Sequence, residues 1–357
     1  MVPKKKIDEI LDGYDLSKLT IATLCSHSSL QIFHGARKMG FKTLGLVTKN
    51  NQKIYDAFPL AKPDRFVSYS DYDDMEERAG ELLDENVVLI PHGSFVEYMG
   101  AKKFEDFAVP SYGNRAVLNW ESDRDKQRSW ITSAGAPMPR LITDAREIKE
   151  PVMVKYHGAK GGRGFFIAKD YPDFKMGIDN SQPYTIQEYC LGTRYYLHFF
   201  YDPLKTDGYR IKQGGSLELL SIDRRDESNI DEMYKLGSIE DAKRHGLYPS
   251  FVVTGNTPVV IRESLLPKAF EMAENIVNRS YELFGGMWGP FCLETVVNDK
   301  LEFRIFEIST RIVAGTNPFI NGSPYAEMIY PGMSTGARMA MEIRDAVQVG
   351  KLKTLIS

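Results

Sequence analysis

The 357-residue chain is 43% hydrophobic and 26% charged, ordinary values for a globular protein long enough to hold two or three packed units. Its formal net charge of −3 excludes a global attraction to nucleic acid or an acidic membrane, so any phosphate-binding patch must be local. No apolar run approaches the roughly 18 residues of a membrane helix, and the lysines at Lys4–Lys6 are followed by no signal-like apolar stretch.

The first 120 residues alternate strands and helices. Leu19–Cys25 reads as a buried strand, Ser28–Met39 as a helix closed by Gly40, and Thr43–Thr48 and Arg65–Tyr69 as further strands. Asp73–Asp84 is a polar-faced helix, and Val87–Ile90 a short strand running into Pro91-His92-Gly93-Ser94. This order predicts an open parallel α/β sheet, whose ligands bind beyond the carboxyl ends of the strands. Ser26–Ser29 and His92–Ser94 therefore belong at the ligand edge. A helix over Arg115–Ser133 stops at Gly135, with Pro137 and Pro139 beyond it.

From Pro151 the character changes. Short strands at Val152–Tyr156, Phe165–Lys169, Tyr184–Tyr189 and Thr193–Tyr201 surround a glycine-dense loop, Gly158–Gly164, and suggest a small α+β lobe. Asp226–Ser250 is polar and loosely patterned, a surface excursion. Pro267–Phe284 is a helix; Leu266 just before it and Phe270, Ala273, Val277 and Phe284 recur at helical spacing. Strands Phe291–Val297 and Leu301–Ile308 follow, joined through Asn298-Asp299-Lys300. Cys25, Cys190 and Cys292 are far apart and form no CxxC pair, so neither a zinc site nor a disulfide framework is indicated and a reducing cytoplasm fits. Each reads as a small buried hydrophobe. Cys25 ends a strand, but no local motif supplies a base to make it a nucleophile.

Several residues interrupt these elements in ways that suggest chemistry. Four glycines in seven residues, with Lys160 and Arg163, can bend over a polyphosphate or form a flexible hairpin tip. The loop lacks the Gly-Lys-Ser/Thr ending of a Walker loop, and no GxGxxG follows the first strand. Glu294 in FCLETVV and Glu307 in FRIFEISTR sit inside otherwise apolar strands, where an uncompensated carboxylate is costly. They either ligate a hard cation such as Mg²⁺ shared with phosphates or face solvent from an edge strand. A two-residue turn at Asn298-Asp299 would pair Glu294 with Phe303 and leave the two acids about 13 Å apart. Lys155 in VMVK is a phosphate-neutralising or a snorkelling lysine, and Glu188 interrupts a β run before Gly192. Ser94 is equally an anion-binding or a capping serine. His27 alone reads as a satisfied core histidine.

Taken in order, Asp125-Lys126, AGAPMP, VMVK, the glycine loop, QEYCLG, and Glu294 and Glu307 followed by Ser309 and Arg311 resemble the ATP-grasp enzymes over residues 115–330. Further runs are similar to the archaeal formate-dependent PurP family across the whole chain. These are LCSHSSL, IPHGSF, YGNRAVL, VMVKYHGAKGGRGFF, IDRRDESNID, TGNTPVVIRESLLP, GPFCLE and GTNPFINGSPY. The resemblance implies an N-terminal open parallel α/β (pre-ATP-grasp) domain over 1–121. It also implies an ATP-grasp fold of two α+β lobes, a small lid lobe over 122–205 and a large metal-binding lobe over 206–357. It implies an ATP- and formate-dependent ligase acting on the aminoimidazole carboxamide ribonucleotide (AICAR), with these small molecules as partners and neither nucleic acid nor membrane.

Carried over by position, Lys126, Lys155, Glu188 and Glu227 line the ATP site, and Glu294 and Glu307 hold Mg²⁺ or Mn²⁺. His27, Ser94 and Asn256 meet AICAR, with Gly315-Thr316-Asn317 nearby, and Arg311 stabilises the transferring group. Ser309 replaces the asparagine usual in ATP-grasp enzymes, and Thr193 an acid that contacts ribose in relatives, a contact that passes to Glu227. The resemblance also implies a homo-oligomer. A paralogous ligase with another acid or amine, or a non-catalytic nucleotide sensor, are the competing expectations; no GxSxG elbow supports a hydrolase.

Overall fold

The computed structural model describes residues 1–48, 52–157, 164–247 and 250–357, with the backbone alone for Asp231 and Lys243. Strands β1 (Thr20–Leu24), β2 (Lys42–Val47), β3 (Arg65–Ser68) and β4 (Val87–Leu89) form a parallel sheet in the order β3-β2-β1-β4. All five residues of β1 are buried, as a central parallel strand covered on both faces requires. Because the strands run parallel, the segments after β1 and β4 emerge at one edge. Ser26–Ser29, leading into helix α1 (Ser29–Lys38), and Pro91–Ser94 meet there.

A second sheet is antiparallel, in the order β10-β11-β9-β13-β14, with β12 also on β11. Its strands are β9 (Thr193–Asp202), β10 (Tyr209–Arg210), β11 (Ser216–Glu227), β12 (Val253–Pro258), β13 (Gly289–Val297) and β14 (Phe303–Ser309). Alternation divides it into two faces. Leu197, Phe199, Leu293 and Ile305 join one core cluster with Ala269, Met272, Ala273, Ile276 and Val277 of a long helix, Leu266–Phe284. The register puts Tyr196, Asp223, Glu294 and Glu307 side by side on the opposite face, and likewise His198, Cys292 and Ser309.

A third sheet, in the order β5-β8-β6-β7, contains β5 (Leu141–Ile142), β6 (Val152–Tyr156), β7 (Phe165–Ala168) and β8 (Tyr184–Glu188). It encloses a core of its own from Ile142, Ile148, Val152, Val154, Ala168, Phe174 and Ile186. This is the small lobe, and it is narrower than residues 122–205. Strand β9 pairs with β11 and β13 of the large sheet. The helix Arg124–Ser133 joins the large-lobe core through Trp130, whose indole Nε1 donates to Ile276 O at 3.0 Å.

The far C-terminus also departs from the expected division. The helix Thr335–Gln348 packs on α1 of the N-terminal domain, and Ser357 N donates to Ser111 O at 2.8 Å. The helices meet through Gly35 and Gly336: a Cβ on Gly35 would stand 2.3 Å from Ala337 N, and one on Gly336 would stand 2.4 Å from Gln31 O. Glycine is required there because backbone lies against backbone. The single helix expected over Arg115–Ser133 is two, Ala116–Ser122 and Arg124–Ser133, broken at extended Asp123. Asp123 caps the second by accepting from Asp125 N and Lys126 N. The Asp73–Asp84 helix likewise divides at Arg78. Among the described residues no helix is long and apolar enough to cross a membrane.

Candidate active site

The β13–β14 hairpin brings the two acids together. Its loop is five residues long, Asn298–Glu302, with Val297 opposite Phe303. Asn298 Oδ1 accepts from Lys300 N and Glu302 N at 3.0 and 2.9 Å, and Leu301 takes a left-handed φ of 63°. A register shift between Glu294 and Thr295 then adds one residue on β14, so Glu294 stands directly opposite Glu307. The loop and the bulge together correct the separation of about 13 Å expected from a two-residue turn; direct neighbours have Cβ atoms about 5 Å apart.

Glu294 is buried. Arg225 Nη2 and Nη1 face its Oε1 and Oε2 at 3.3 and 3.4 Å, and Ser309 Oγ donates to Oε1 at 3.2 Å. The Arg225 guanidinium lies 3.7 Å from the centre of the Tyr196 ring. Glu307 is exposed to solvent and lies on the same sheet face as Glu294, directly opposite it. Loss of hydration there, with the Glu294 charge opposite, pushes its carboxyl up to about 7.

Arg311 extends the site toward the N-terminal domain. Its Nη2 pairs with Glu121 Oε1 at 2.8 Å, and Glu121 Oε2 accepts from Thr310 N and Oγ1 at 2.7 and 2.8 Å. The guanidinium lies 3.6–3.8 Å from where a Cβ on Gly93 would stand. His92 Nε2 bonds Leu24 O at 2.9 Å while its Nδ1 accepts from Ser94 N at 3.2 Å. The ring is therefore neutral with the proton on Nε2, in keeping with burial that pushes its pKa down to about 3. His27, at a φ of 39°, stands 6.1 Å from His92 ring to ring. Its pKa is lowered by desolvation and then by the Arg311 charge. Ser28 Oγ, Ser94 Oγ and Arg311 Nε are buried without a hydrogen-bond partner, which in a native fold points to a missing polar ligand.

On the lid side, Lys155 of β6 has its pKa lowered by desolvation and then by the charges of Arg124 and Arg194. Neither Lys155 nor Arg124 makes a direct ion pair among the described residues, and Glu307 is the acid whose charge acts on both. Arg124 also acts on Glu307. Glu188 Oε2 accepts from Arg140 N at 3.0 Å. Glu227 accepts from Arg194 Nη1 at 2.7 Å. Between them runs the lobe connection, where a Cβ on Gly192 would stand 2.2 Å from Val297 O. Asn256 is the backbone partner of Arg225 on β12.

Lys126 is not brought into this group. Its Nζ donates to Asn119 Oδ1 at 2.9 Å and lies 3.9 Å from Asp123, and it is Arg124 of the same helix that acts on Lys155 and Glu307. The glycine loop, Gly158–Arg163 with Lys160, lies outside the described residues. Cys25 is buried and desolvation raises its thiol to about 12, which disfavours a nucleophile.

Among the described residues no group of three or more His, Cys, Asp or Glu side chains is placed to hold a metal. Two facing carboxylates, one of them raised by the other, nevertheless suit Mg²⁺, which takes few protein oxygens and completes its shell from phosphate and water. Sequence reasoning missed Arg225, Glu121 and Arg124. Arg225 lies in the IDRRDESNID run and alternates with Asp223, a signal available in the sequence. Glu121 and Arg124 look like the solvated face of a helix and gave none. A buried pair, His198 Nε2 with Asp223 Oδ1, lies deeper on the same sheet face.

Comparison with known proteins places this geometry. Residues 176–357 match the family model described as "Domain of unknown function (DUF1297)", and residues 21–142 match "Protein of unknown function (DUF1246)". The chain is 56% identical to the 5-formaminoimidazole-4-carboxamide-1-(beta)-D-ribofuranosyl 5'-monophosphate synthetase of Methanococcoides burtonii, covering 100% of both chains. Among solved structures, the IMP biosynthesis protein PurP from Thermococcus kodakaraensis superposes with a TM-score of 0.71 at 28% identity, over 94% of this chain and 100% of that one. An ADP complex of an N5-carboxyaminoimidazole ribonucleotide synthetase matches at a TM-score of 0.61 and 15% identity, over 92% and 77%. The fold is ATP-grasp behind an N-terminal α/β domain.

Proposed function

Because the chain belongs to the family of 5-formaminoimidazole-4-carboxamide ribonucleotide synthetases, we propose that it joins formate to the exocyclic amine of AICAR at the expense of ATP. The products are the formylated nucleotide, ADP and phosphate. One observation carries the reading: Glu294 and Glu307 stand side by side within reach of the Arg124 and Lys155 charges, while Arg311 runs from that strand end to His27, His92 and Gly93.

In this reading Lys155 and Arg124 bind the ATP phosphates, with Glu188 and Glu227 flanking the nucleoside along the lobe connection. Lys126 would join them only by leaving Asn119. Glu294 and Glu307 would hold Mg²⁺ or Mn²⁺, which when bound offsets phosphate charge. His27, Ser94 and Asn256 receive AICAR, the partnerless Ser28 and Ser94 hydroxyls being free to donate to its phosphate. A formate oxygen bonds to the γ-phosphorus as the bond from that phosphorus to ADP breaks. The AICAR amine then bonds to the formyl carbon, and phosphate departs with the electrons of the carbon–oxygen bond. Arg311 stabilises the negative oxygens in both steps. The amine proton passes to His27, whose neutral ring is able to accept it. Closure of the small lobe keeps water from the acyl phosphate. A homo-oligomer in a reducing cytoplasm is the proposed setting.

The test is to incubate the protein with ATP, formate and AICAR and follow ADP and formylated product together. Product and ADP should form in equal amounts, and Glu307→Gln should abolish both while remaining folded. ADP formation with another acid or amine but not with formate and AICAR would make the chain a paralogous ligase instead.

A further inference from the structure

Arg225 has no part in the reaction as set out above, yet it sits on one of its metal carboxylates. Its terminal nitrogens approach Glu294 end-on, Nη2 to Oε1 at 3.3 Å and Nη1 to Oε2 at 3.4 Å. A guanidinium fork in this position covers the open edge of the carboxylate, the edge from which a divalent ion takes hold of its oxygens. Both distances exceed the usual range for directed N–H···O bonds, so charge rather than bond geometry holds the pair. Beneath it the Tyr196 ring centre lies 3.7 Å from Cζ, a seat that retains the cation whether or not Glu294 is its partner. Glu307 stands directly across the ladder and makes no ion pair among the described residues. Without Arg225 the Glu294 carboxylate would face Glu307 with no ion-pair partner of its own.

We propose that Arg225 is an exchangeable counter-cation of the glutamate pair. It neutralises Glu294 until a metal-bound nucleotide displaces it from the carboxylate, leaving the Tyr196 ring as its remaining seat, so metal entry is a cation exchange. Arg225 is thus a positioning residue that sets metal affinity, and the inference rests on reading Glu294 and Glu307 as metal ligands. A purely orienting role, in which Arg225 holds Glu294 in the geometry that binds metal, predicts the opposite sign. Under exchange, removing the guanidinium strengthens metal binding; under orientation, it weakens it.

The measurement is Mn²⁺ binding in the presence of ADP, read from the loss of the free-ion electron paramagnetic resonance signal at a pH above 7, without formate or AICAR. Arg225→Met should bind Mn²⁺ about tenfold or more tightly than wild type, because a resident charge at ion-pair distance no longer competes. Tyr196→Leu removes the seat for the displaced guanidinium and should weaken Mn²⁺ about fivefold, which keeps the test decisive if Arg225→Met does not fold. Equal or weaker binding in folded Arg225→Met, or unchanged binding in Tyr196→Leu, overturns the exchange. No Mn²⁺ binding by wild type or either variant overturns the metal assignment and the exchange with it. Normal Mn²⁺ behaviour with no formylation of AICAR would instead fault only the choice of substrates.

Discussion

Replacing Glu121 by glutamine isolates how Arg311 is held in place. The Glu121 carboxylate accepts from Arg311 Nη2 at 2.8 Å and from Thr310 N and Oγ1 at 2.7 and 2.8 Å. Glutamine keeps an oxygen for Thr310 and the volume of the side chain, but not the charge that fixes the guanidinium. A hydrogen bond to a charged group contributes about 1.5–3 kcal/mol, and each 1.4 kcal/mol or so is a factor of ten. The turnover rate of Glu121→Gln should therefore fall roughly 10- to 100-fold, with the KM for ATP changed by less than about threefold because the lysine side is untouched. Glu121→Ala also strands the Thr310 N–H and the half-buried Arg311 guanidinium, and should cost about 1–3 kcal/mol of stability. Steady-state ADP release and urea unfolding measure the two effects. The Glu121 charge also helps raise the Glu307 carboxyl, so Glu121→Gln should move the acidic limb of metal binding to lower pH. A Glu121→Gln enzyme with wild-type turnover would refute the argument that this carboxylate positions Arg311.

Glu307, pushed up to about 7, holds a proton below that pH and must lose it to solvent for a metal to bind. Mn²⁺ affinity should fall about tenfold per pH unit below 7, with proton uptake or release on binding absent in Glu307→Gln; a flat profile in wild type would contradict it. The same raised carboxyl makes the metal-free fold lose stability as pH rises from its unfolded value near 4.5 toward 7, and bound metal should cancel that loss in thermal unfolding. Arg124→Ala should raise the KM for ATP about tenfold while Lys126→Ala changes it less than about twofold; the reverse order would restore Lys126 to the nucleotide site. Gly336→Val places a branched side chain where even a Cβ stands 2.4 Å from Gln31 O and should cost about 1–3 kcal/mol or more in urea unfolding.

What could be read from the sequence was whatever its local pattern determines. The buried run LTIATLC and the polar residues after it place β1 and the ligand edge, because a parallel strand must be apolar throughout and its ligands lie beyond its end. Glu294 and Glu307 stand out for the cost of a carboxylate in an apolar strand. The hairpin register was not legible because it depends on Leu301 adopting a left-handed φ, a conformation for which the local sequence gives no glycine. The break at Asp123 was hidden because a capping aspartate inside a long helical pattern looks like one more polar position. Strand β12 was missed because TGNTP carries a glycine and a proline and no apolar alternation. It is an edge strand, mostly exposed, that exists by pairing with β11. The allegiance of β9, and the docking of the last helix on α1, are decided by partners far away in the chain. Glu121 and Arg124 follow the same rule: only the fold turns two helix-surface charges toward Arg311 and Glu307.

One sheet face explains why the sequence rule found the acids but could not sort them. Asp202 and Glu218 also sit in apolar strand sequence, on the same face as Glu294 and Glu307, toward the other end of β9 and β11. There Arg338, 1% exposed, donates through Nε to Glu218 at 2.8 Å and through Nη2 to Asp202 at 2.7 Å, and Lys205 Nζ adds a contact to Glu218 at 2.9 Å. The Asp202 and Glu218 carboxylates are thus met by Arg338 and Lys205, and Arg338 comes from the C-terminal helix that grips α1. That end is a structural joint between the large lobe and the N-terminal domain. At the other end Ser28 Oγ, Ser94 Oγ, Ser221 Oγ, Arg311 Nε and Asp223 Oδ2 are buried without partners, and Lys155 and Arg124 share Glu307 as their nearby acid without a direct ion pair. Buried polar groups in a stable fold are usually paired, so Ser28, Ser94 and Arg311, which lie at the proposed substrate edge, keep donors that a polar ligand could use. Four acids carry the same local signature, and the supply of partners, a property of the fold alone, separates the two that fasten the domains from the two proposed to hold a metal.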